Sequence, residues 1–210
     1  MPDIPIKALF LDVGGVLLTN GWDRKSRQGA AEKFGLNYTD LEERHHLTYD
    51  TYEVGKITLE TYLDRIVFYE KRPFSREDFR AYLYAQTQAL PGMIDYFTKL
   101  KAAHHLKVGV VSNEGRELSE YRIDHFNLGT LADFFVMSAF VHFRKPDTDI
   151  FKLALDIAQI PARQCLYFDD RPLFVEVARR LGMHAIHHKD LAATQKAVAA
   201  LGLPLEDSPA

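Results

Sequence analysis

Five short apolar segments, separated by amphipathic ones, restrict the fold of this 210-residue sequence more than any other feature. Each is rich in Val, Leu, Ile or Phe and is too short for a helix, which is typical of strands buried on both faces. The segments are Lys7–Leu11, Lys107–Val111, Phe134–Ser138, Cys165–Phe168 and His184–His187. Helical patterns lie between most of them, at Pro91–His104, Thr148–Gln159 and Pro172–Leu181. This alternation predicts an α/β fold with a doubly wound parallel sheet, covered by helices on both faces.

Residues 20–90 interrupt that alternation because they contain no strand pattern. Four helical segments are predicted there, two of them opened by capping boxes (Thr39 with Glu42, and Ser75 with Asp78). The segments are Arg24–Phe34, Thr39–His46, Thr58–Glu70 and Ser75–Gln88. We therefore predict two domains, an α/β core of residues 1–19 and 91–210 and a small helical bundle of residues 20–90. Asn20-Gly21 predicts a two-residue hairpin just before the bundle.

Composition excludes several classes of protein. The single cysteine rules out an internal disulfide framework. A net charge of −3, from 26 basic and 29 acidic residues, gives no electrostatic case for nucleic acid or an anionic membrane as partner. The N-terminal segment lacks the basic flank of a signal peptide, and no apolar run approaches the ~20 residues that span a bilayer. We expect a cytoplasmic protein, as a monomer or homodimer, whose partner is a small molecule.

Polar side chains follow four of the predicted strands, where a parallel sheet binds its ligands. They are Asp12, Ser112 with Asn113, Lys145, and Asp169 with Asp170. Carboxylates ~4 Å apart repel by about 4 kcal/mol per pair at an effective dielectric constant near 20, so three of them call for a hard cation. Oxygen ligands favour Mg²⁺, which also binds substrate phosphate. A lysine supplies a point charge for that phosphate, and an aspartate can act as nucleophile to form an aspartyl-phosphate.

Four motifs in order resemble those of the haloacid dehalogenase (HAD) superfamily. They are LFLDVGGVLL, VVSN, FRKPDTDIF and LYFDDRPLFVEVARRLGM, and the match runs from about Lys7 to about His187. The resemblance implies a Rossmann-like core, and it implies that residues 20–90 form the helical cap that closes over the site and selects the substrate. Asn20-Gly21 resembles the hairpin flap that precedes such a cap.

The resemblance also implies roles for the residues at the strand ends. Asp12 would be the nucleophile and Lys145 the second catalytic residue. Ser112, Asn113 and Lys145 would hold the phosphoryl group of a small phosphorylated substrate.

Magnesium is the cofactor that the resemblance implies. Its ligands would be Asp12, the backbone carbonyl of Gly14, and Asp170. Asp169 would bind the metal through water or orient the site.

Gly14 and Phe174 depart from the family pattern. Gly14 stands where relatives usually carry a second aspartate, which protonates the leaving group, and Phe174 stands where they often carry Asn or Asp. Loss of a positioned acid predicts a preference for phosphates whose leaving groups depart readily, unless water or Asp23 supplies the proton.

Three functions remain open at this point. A Mg²⁺-dependent phosphatase fits all four motifs. A dehalogenase, in which the aspartate attacks carbon, also lacks the second aspartate, but it needs no metal and usually lacks the acidic pair Asp169-Asp170. A protein that binds a phosphorylated ligand without turning it over would explain Gly14. The adjacent histidines His45-His46 do not share a helix face, so they are not expected to chelate a metal.

Overall fold

The five predicted strands form one parallel sheet in the order β3-β2-β1-β4-β5 in the computed structural model, which describes residues 5–205. The strands are β1 Ala8–Leu11, β2 Lys107–Ser112, β3 Phe134–Met137, β4 Cys165–Asp169 and β5 His184–His187. β1 lies at the centre, paired with β2 on one side and β4 on the other. Residues 1–4 and 206–210, which the sequence analysis assigns to the core domain, lie outside the described residues.

Helices occupy both faces of this sheet, which confirms the predicted α/β class. The helices of the chain are α1 Arg24–Phe34, α2 Tyr38–Glu53, α3 Leu59–Ile66, α4 Arg76–Ala85, α5 Met93–His104, α6 Arg116–His125, α7 Ser138–Val141, α8 Thr148–Ala158, α9 Pro172–Arg180 and α10 Leu191–Ala200. α5 and α10 pack on the face that buries Leu9 and Leu11. α8 and α9 pack on the opposite face, against Ala8 and Phe10. Alternate residues of β1 therefore pack into two separate apolar clusters, as expected for a strand buried on both sides.

The helices α1–α4 lie between β1 and α5 and pack around an apolar cluster of their own. Trp22, Tyr62, Leu63 and Phe79 are buried in it, together with Leu118 from α6 of the core. The Thr19 backbone N–H donates to the Gln88 carbonyl over 2.8 Å, so the chain enters and leaves this insertion side by side. The division into two domains stays a prediction.

The hairpin predicted at Asn20-Gly21 is wrong. Trp22 donates its backbone N–H to the Asn20 carbonyl in a tight turn, and Thr19 pairs with Gln88 rather than with Trp22. The turn that follows β1 comes earlier, where Gly15 donates to the Leu18 carbonyl over 2.7 Å. Asn20-Gly21 favours a reversal of the chain, but the backbone partner of Thr19 is Gln88, where the insertion returns, and the pairing is an isolated bridge between Leu18 and Ala89.

Local capping decides where the insertion helices begin. α2 begins at Tyr38 because the Asn37 side chain accepts from the Asp40 N–H, so the capping box predicted at Thr39 is wrong. The capping box of Ser75 and Asp78 is confirmed at the start of α4. α6 and α10 were not predicted, since both have short apolar stripes; α6 buries Ser119 and Arg122 beside Leu118.

No helix among residues 5–205 is long and apolar enough to cross a membrane.

Candidate active site

The centre of the sheet sets three functional side chains next to one another. Asp12 follows β1 directly, and its backbone N–H donates to the Phe168 carbonyl of β4 over 3.0 Å. Ser112 ends β2 on one side of Asp12, and Asp169 ends β4 on the other side. The parallel register therefore brings these residues together although most of the chain lies between them in sequence.

Lys145 joins the carboxylates of Asp12 and Asp169. Its Nζ lies 3.0 Å from Asp12 Oδ1 and 2.7 Å from Asp169 Oδ2, and the side chain is 1% exposed. Burial acts to lower the pKa of Lys145, but the two carboxylates outweigh it and raise the pKa above its usual value. Lys145 is therefore a permanently charged group at the centre of the site.

Asn113 positions Lys145 through the backbone. Its Nδ2 donates to the Lys145 carbonyl over 2.8 Å, and its Oδ1 accepts the Lys145 N–H over 2.7 Å. Both ends of the amide are therefore occupied. The Asn113 side chain thus fixes the loop that carries the lysine, and the phosphate-holding role expected of Asn113 stays a prediction.

Asp12, Asp169 and Asp170 form a carboxylate cluster in which one oxygen of each lies within 4.8 Å of the others. Asp169 uses both of its oxygens: Oδ2 accepts from Lys145 and from the Tyr167 hydroxyl, and Oδ1 accepts the Arg171 N–H over 2.8 Å. Asp170 instead keeps a buried Oδ1 with no hydrogen-bond partner. The two adjacent aspartates therefore differ, because both carboxylate oxygens of Asp169 accept hydrogen bonds whereas Oδ1 of Asp170 accepts none.

The carboxylate cluster fits a divalent cation. When all three carboxylates are ionised, the single ammonium of Lys145 leaves two negative charges unbalanced. Burial, followed by the charge of Asp169, raises the pKa of Asp12 to about 7 despite the opposing effect of Lys145. All the donors are oxygen atoms, the set that Mg²⁺ prefers. The unpartnered Asp170 Oδ1 is the atom that such a cation would satisfy.

Two glycines allow the turn after β1 to approach this cluster. Gly15 has φ +74°, and a Cβ there would collide with the Asp170 carboxylate. A Cβ on Gly14 would lie 2.7 Å from Asn20 Oδ1. Asn20 Nδ2 in turn donates to Asp170 Oδ2 over 3.2 Å. The Asn20 amide therefore fills the space that a side chain at position 14 would enter.

A cavity of about 300 Å³ lies between the strand ends and the helical insertion. Asp12, Ser112, Glu114 and Lys145 line it from the core side. Trp22, Asp23, His45, Tyr49 and Glu53 line it from the insertion. Most of these groups are polar, so the cavity suits a small polar ligand whose reacting atom reaches Asp12.

His45 contributes an imidazole to the cavity wall, and its hydrogen-bond partners indicate which tautomer it adopts. Trp22 Nε1 donates to the Tyr62 hydroxyl over 2.8 Å, and Tyr62 lies 2.6 Å from His45 Nδ1. Tyr62 is fully buried, and of these two neighbours only Nδ1 can accept its proton. Nδ1 is therefore unprotonated and Nε2 carries the hydrogen. Burial, assisted by the charge of Arg27, lowers the pKa of His45 to about 4, which agrees with a neutral ring.

Glu114 is a second cavity residue that the sequence analysis did not single out. It is 3% exposed, it forms an ion pair with Arg122, and its Oε2 has no hydrogen-bond partner. Its place directly after Ser112-Asn113 was a signal that could have identified it. His45 offered no such signal, because it lies within a helix and belongs to no motif.

Asp23, which was named beside water as an alternative source of the proton, caps α1. Its Oδ1 accepts the N–H and the hydroxyl of Ser26 over 2.8 and 2.9 Å. Phe174, which departs from the family pattern, is 7% exposed and has Lys145 Nζ 5.1 Å from its ring centre. An aromatic face therefore replaces a polar group beside the lysine.

Comparison with known proteins agrees with this architecture. A family model for hydrolases of the haloacid dehalogenase-like type matches residues 6–182. No curated protein matches the chain. A HAD family enzyme from Bacteroides thetaiotaomicron, solved with magnesium and inorganic phosphate, is 23% identical with a TM-score of 0.76, over 88% of this chain and 95% of that one.

Two further solved structures share the fold. A HAD-like family hydrolase from Porphyromonas gingivalis is 20% identical with a TM-score of 0.76, over 96% of this chain and 100% of its own. A dehalogenase is 16% identical with a TM-score of 0.62, over 86% of this chain and 83% of its own. At these identities the likeness establishes the shared fold.

Proposed function

This chain belongs to the haloacid dehalogenase-like hydrolases, and from that premise we propose that it is a Mg²⁺-dependent phosphatase for a small phosphorylated metabolite. The observation that carries the proposal is the buried, unpartnered Oδ1 of Asp170 within the carboxylate cluster. A buried oxygen of this kind costs about 1–3 kcal/mol or more if nothing binds it. A cation that also binds phosphate would remove that cost and balance the two excess negative charges.

Asp12 is the nucleophile in this proposal. Its Oδ1 is held by the Val13 N–H at 2.8 Å and by Lys145, so Oδ2 is the oxygen that neither of them holds. Asp12 Oδ2 attacks phosphorus, and the bond between phosphorus and the ester oxygen breaks, with its electron pair leaving on that oxygen. Water then hydrolyses the aspartyl-phosphate, which releases inorganic phosphate and restores the Asp12 carboxylate.

Lys145 and Ser112 act on the transferring phosphoryl group. The Lys145 ammonium is fixed beside the attacking carboxylate and offsets the charge of the incoming phosphate. Ser112 is 2% exposed, lines the same cavity and offers a hydroxyl donor. Mg²⁺ bound by Asp12, Asp170 and the Gly14 carbonyl would add neutralisation of the charge shared between Asp12 and the phosphate.

A second candidate function is hydrolysis of a carbon–halogen bond. Gly14 favours it, because a halide leaves without a proton and needs no acid at that position. In that reaction Asp12 would attack carbon, and water would then hydrolyse the ester. The cation-binding character of Asp170 speaks for the phosphatase instead, since displacement of a halide needs no metal.

A single assay separates the candidates. Purified protein is incubated with a panel of phosphate monoesters and of 2-halocarboxylic acids, with added Mg²⁺ or with EDTA, and both phosphate and halide are measured. The phosphatase predicts phosphate release that EDTA abolishes and Mg²⁺ restores, and that Asp12→Asn lacks. Halide release in metal-free buffer would replace the proposal with the dehalogenase. If phosphate esters bind but neither phosphate nor halide is released, the chain acts as a ligand-binding protein without turnover.

A further inference from the structure

Glu114 lines the cavity and carries a buried acceptor without a hydrogen-bond partner. It follows Ser112-Asn113 at the end of β2, so it lies on the side of the site next to the proposed phosphoryl group. Its Oε2 is buried and has no hydrogen-bond partner among the described residues. A hydrogen-bond donor on a molecule in the cavity would satisfy it.

Arg122 prevents Glu114 from turning away to solvent. Arg122 is 2% exposed and forms an ion pair with Glu114. The same guanidinium donates to Thr87 Oγ1 over 3.3 Å and to the Asn20 carbonyl over 3.1 Å. Both segments that connect the insertion to the core therefore hold the arginine, and the arginine holds the carboxylate in place.

His45 presents the complementary group from the insertion. Its Nδ1 is occupied by Tyr62, and its Nε2–H has no partner among the described residues. A donor from α2 and an acceptor from the end of β2 therefore line one cavity of about 300 Å³. A hydroxyl group can donate to one such partner and accept from another, so a ligand with several hydroxyls satisfies both.

The charges around the cavity favour an uncharged ligand beyond the phosphate. Its two buried guanidiniums already have carboxylate partners: Arg27 pairs with Glu42, and Arg122 pairs with Glu114. Arg24 and Arg171 also line the cavity, but both are exposed. Arg144 pairs with Glu53, whose Oε2 lies 2.7 Å from Nη2 but outside hydrogen-bond geometry. A second anionic group beside Arg27, Arg122 or Arg144 would find a guanidinium whose charge a carboxylate already balances. An ammonium group there would be repelled by the same guanidinium.

We propose that the leaving group of the substrate is an uncharged polyol, such as a sugar or sugar alcohol, whose hydroxyls donate to Glu114 Oε2 and accept from His45 Nε2–H. This inference rests on the proposed phosphatase and names its substrate class. Glu114 and His45 are then residues that determine specificity through the part of the substrate that departs.

The first test is a comparison of kcat/KM among phosphate esters. The panel contains hexose and pentitol phosphates, sugar bisphosphates, phosphoethanolamine, simple alkyl phosphates and an aryl phosphate. The polyol monophosphates should exceed alkyl phosphates of similar leaving-group pKa by at least tenfold. Equal values for polyol and alkyl phosphates, or a preference for the bisphosphates or for phosphoethanolamine, would overturn the inference while leaving the phosphatase intact.

The second test changes the acceptor. Burial raises the pKa of Glu114 to about 7 against the opposing charge of Arg122, so the variant is compared with the wild type at pH 8, where the carboxyl is ionised. Glu114→Gln should then lower the ratio of kcat/KM for the best polyol phosphate to that for the aryl phosphate by about tenfold to a hundredfold, the range for a hydrogen bond to a charged group. Glu117→Gln is the matched control. Glu117 also has a buried, unpartnered Oε2, but it lies outside this cavity, so the ratio should not change. A ratio that Glu114→Gln leaves at its wild-type value would overturn the role of Glu114.

A binding measurement keeps the inference testable whatever the rate of turnover. The Asp12→Asn protein is titrated with Mg²⁺ and either a polyol phosphate or a propyl phosphate, and heat is recorded. The polyol phosphate should bind at least tenfold more tightly, and His45→Phe in the same background should reduce that advantage by about threefold to tenfold. Equal binding of the two esters would refute the inference. If the polyol phosphate binds more tightly than propyl phosphate but the wild-type protein releases no phosphate, the phosphatase activity is refuted and the preference for a polyol is not.

Discussion

The Oδ1 atom of Asn20 lies 2.7 Å from the position that a Cβ atom on Gly14 would take. The amide of a linker residue thus occupies the space where relatives carry the side chain of their second aspartate. Asn20 cannot replace that aspartate as an acid, because a side-chain amide does not ionise near neutral pH. The same amide donates to Asp170, so it supports the candidate metal site instead.

Restoring an aspartate at position 14 should raise activity on poor leaving groups. A positioned general acid contributes about 10²–10⁴-fold, so Gly14→Asp should speed alkyl phosphates more than aryl phosphates. Asn20 is exposed and can move, and the double variant Gly14→Asp/Asn20→Ala removes the collision altogether. The measurement is kcat/KM across phosphates of graded leaving-group pKa.

Asn20→Ala alone is the control for that double variant, since it opens the space without adding an acid. If the double variant and Asn20→Ala depend equally on leaving-group pKa, another group already supplies the proton and the absence of a side chain at Gly14 has no kinetic consequence.

Asp170→Asn should mainly weaken Mg²⁺ binding, whereas Asp169→Asn should mainly lower the unfolding free energy. Asp170→Asn removes a proposed metal ligand whose side chain, among residues 5–205, accepts a hydrogen bond from Asn20 alone. It should therefore weaken Mg²⁺ binding at least tenfold with little loss of stability. Asp169→Asn removes a charge partner of buried Lys145 and should cost about 3–5 kcal/mol of unfolding free energy. Urea unfolding in EDTA and Mg²⁺ titration of activity measure the two effects. Similar stability losses in both variants would contradict this division.

Asp12→Asn should abolish phosphate release while preserving the fold. The amide is a poor nucleophile. Burial raises the pKa of Asp12 to about 7, so the folded site already disfavours the charged form of this carboxyl even though it pairs with Lys145. Stability in EDTA should therefore be equal to or higher than that of the wild type. Phosphate release is measured by a coupled assay, and more than a few percent of residual turnover would show that another group attacks phosphorus.

The half-buried His45 should make the protein less stable as the pH falls. Burial lowers its pKa to about 4, below the unfolded value of 6.5. Between these values the unfolded chain binds more protons, so the unfolding free energy falls as pH decreases, by about 2 kcal/mol at pH 5 from this residue. Urea unfolding at pH 7 and 5 measures the loss. His45→Gln should show a smaller loss than the exposed control His46→Gln, and equal losses would contradict a buried neutral ring.

The fold and the location of the site could be predicted because both depend on local patterns. Strands such as Cys165–Asp169 are buried on both faces, so their apolar runs are visible in the sequence. In a parallel sheet the residues that follow the strands meet at one edge, which is why Asp12, Ser112 and Asp169 could be expected together. Helix ends were less predictable, because Asn37 and Thr39 are both good caps and packing chose between them.

The amino-acid sequence by itself determined the α/β fold, the helical insertion after β1 and the group of charged residues at the strand ends. Only the tertiary structure decided which acidic residue of the pair keeps an unpartnered oxygen, since both oxygens of Asp169 are engaged whereas Oδ1 of Asp170 is not. It alone placed Asn20 beside Gly14, and His45 and Glu114 in the lining of one cavity. The reason is physical: these relationships depend on how the insertion packs on the sheet, which arises from contacts between distant segments rather than from any periodicity along the chain.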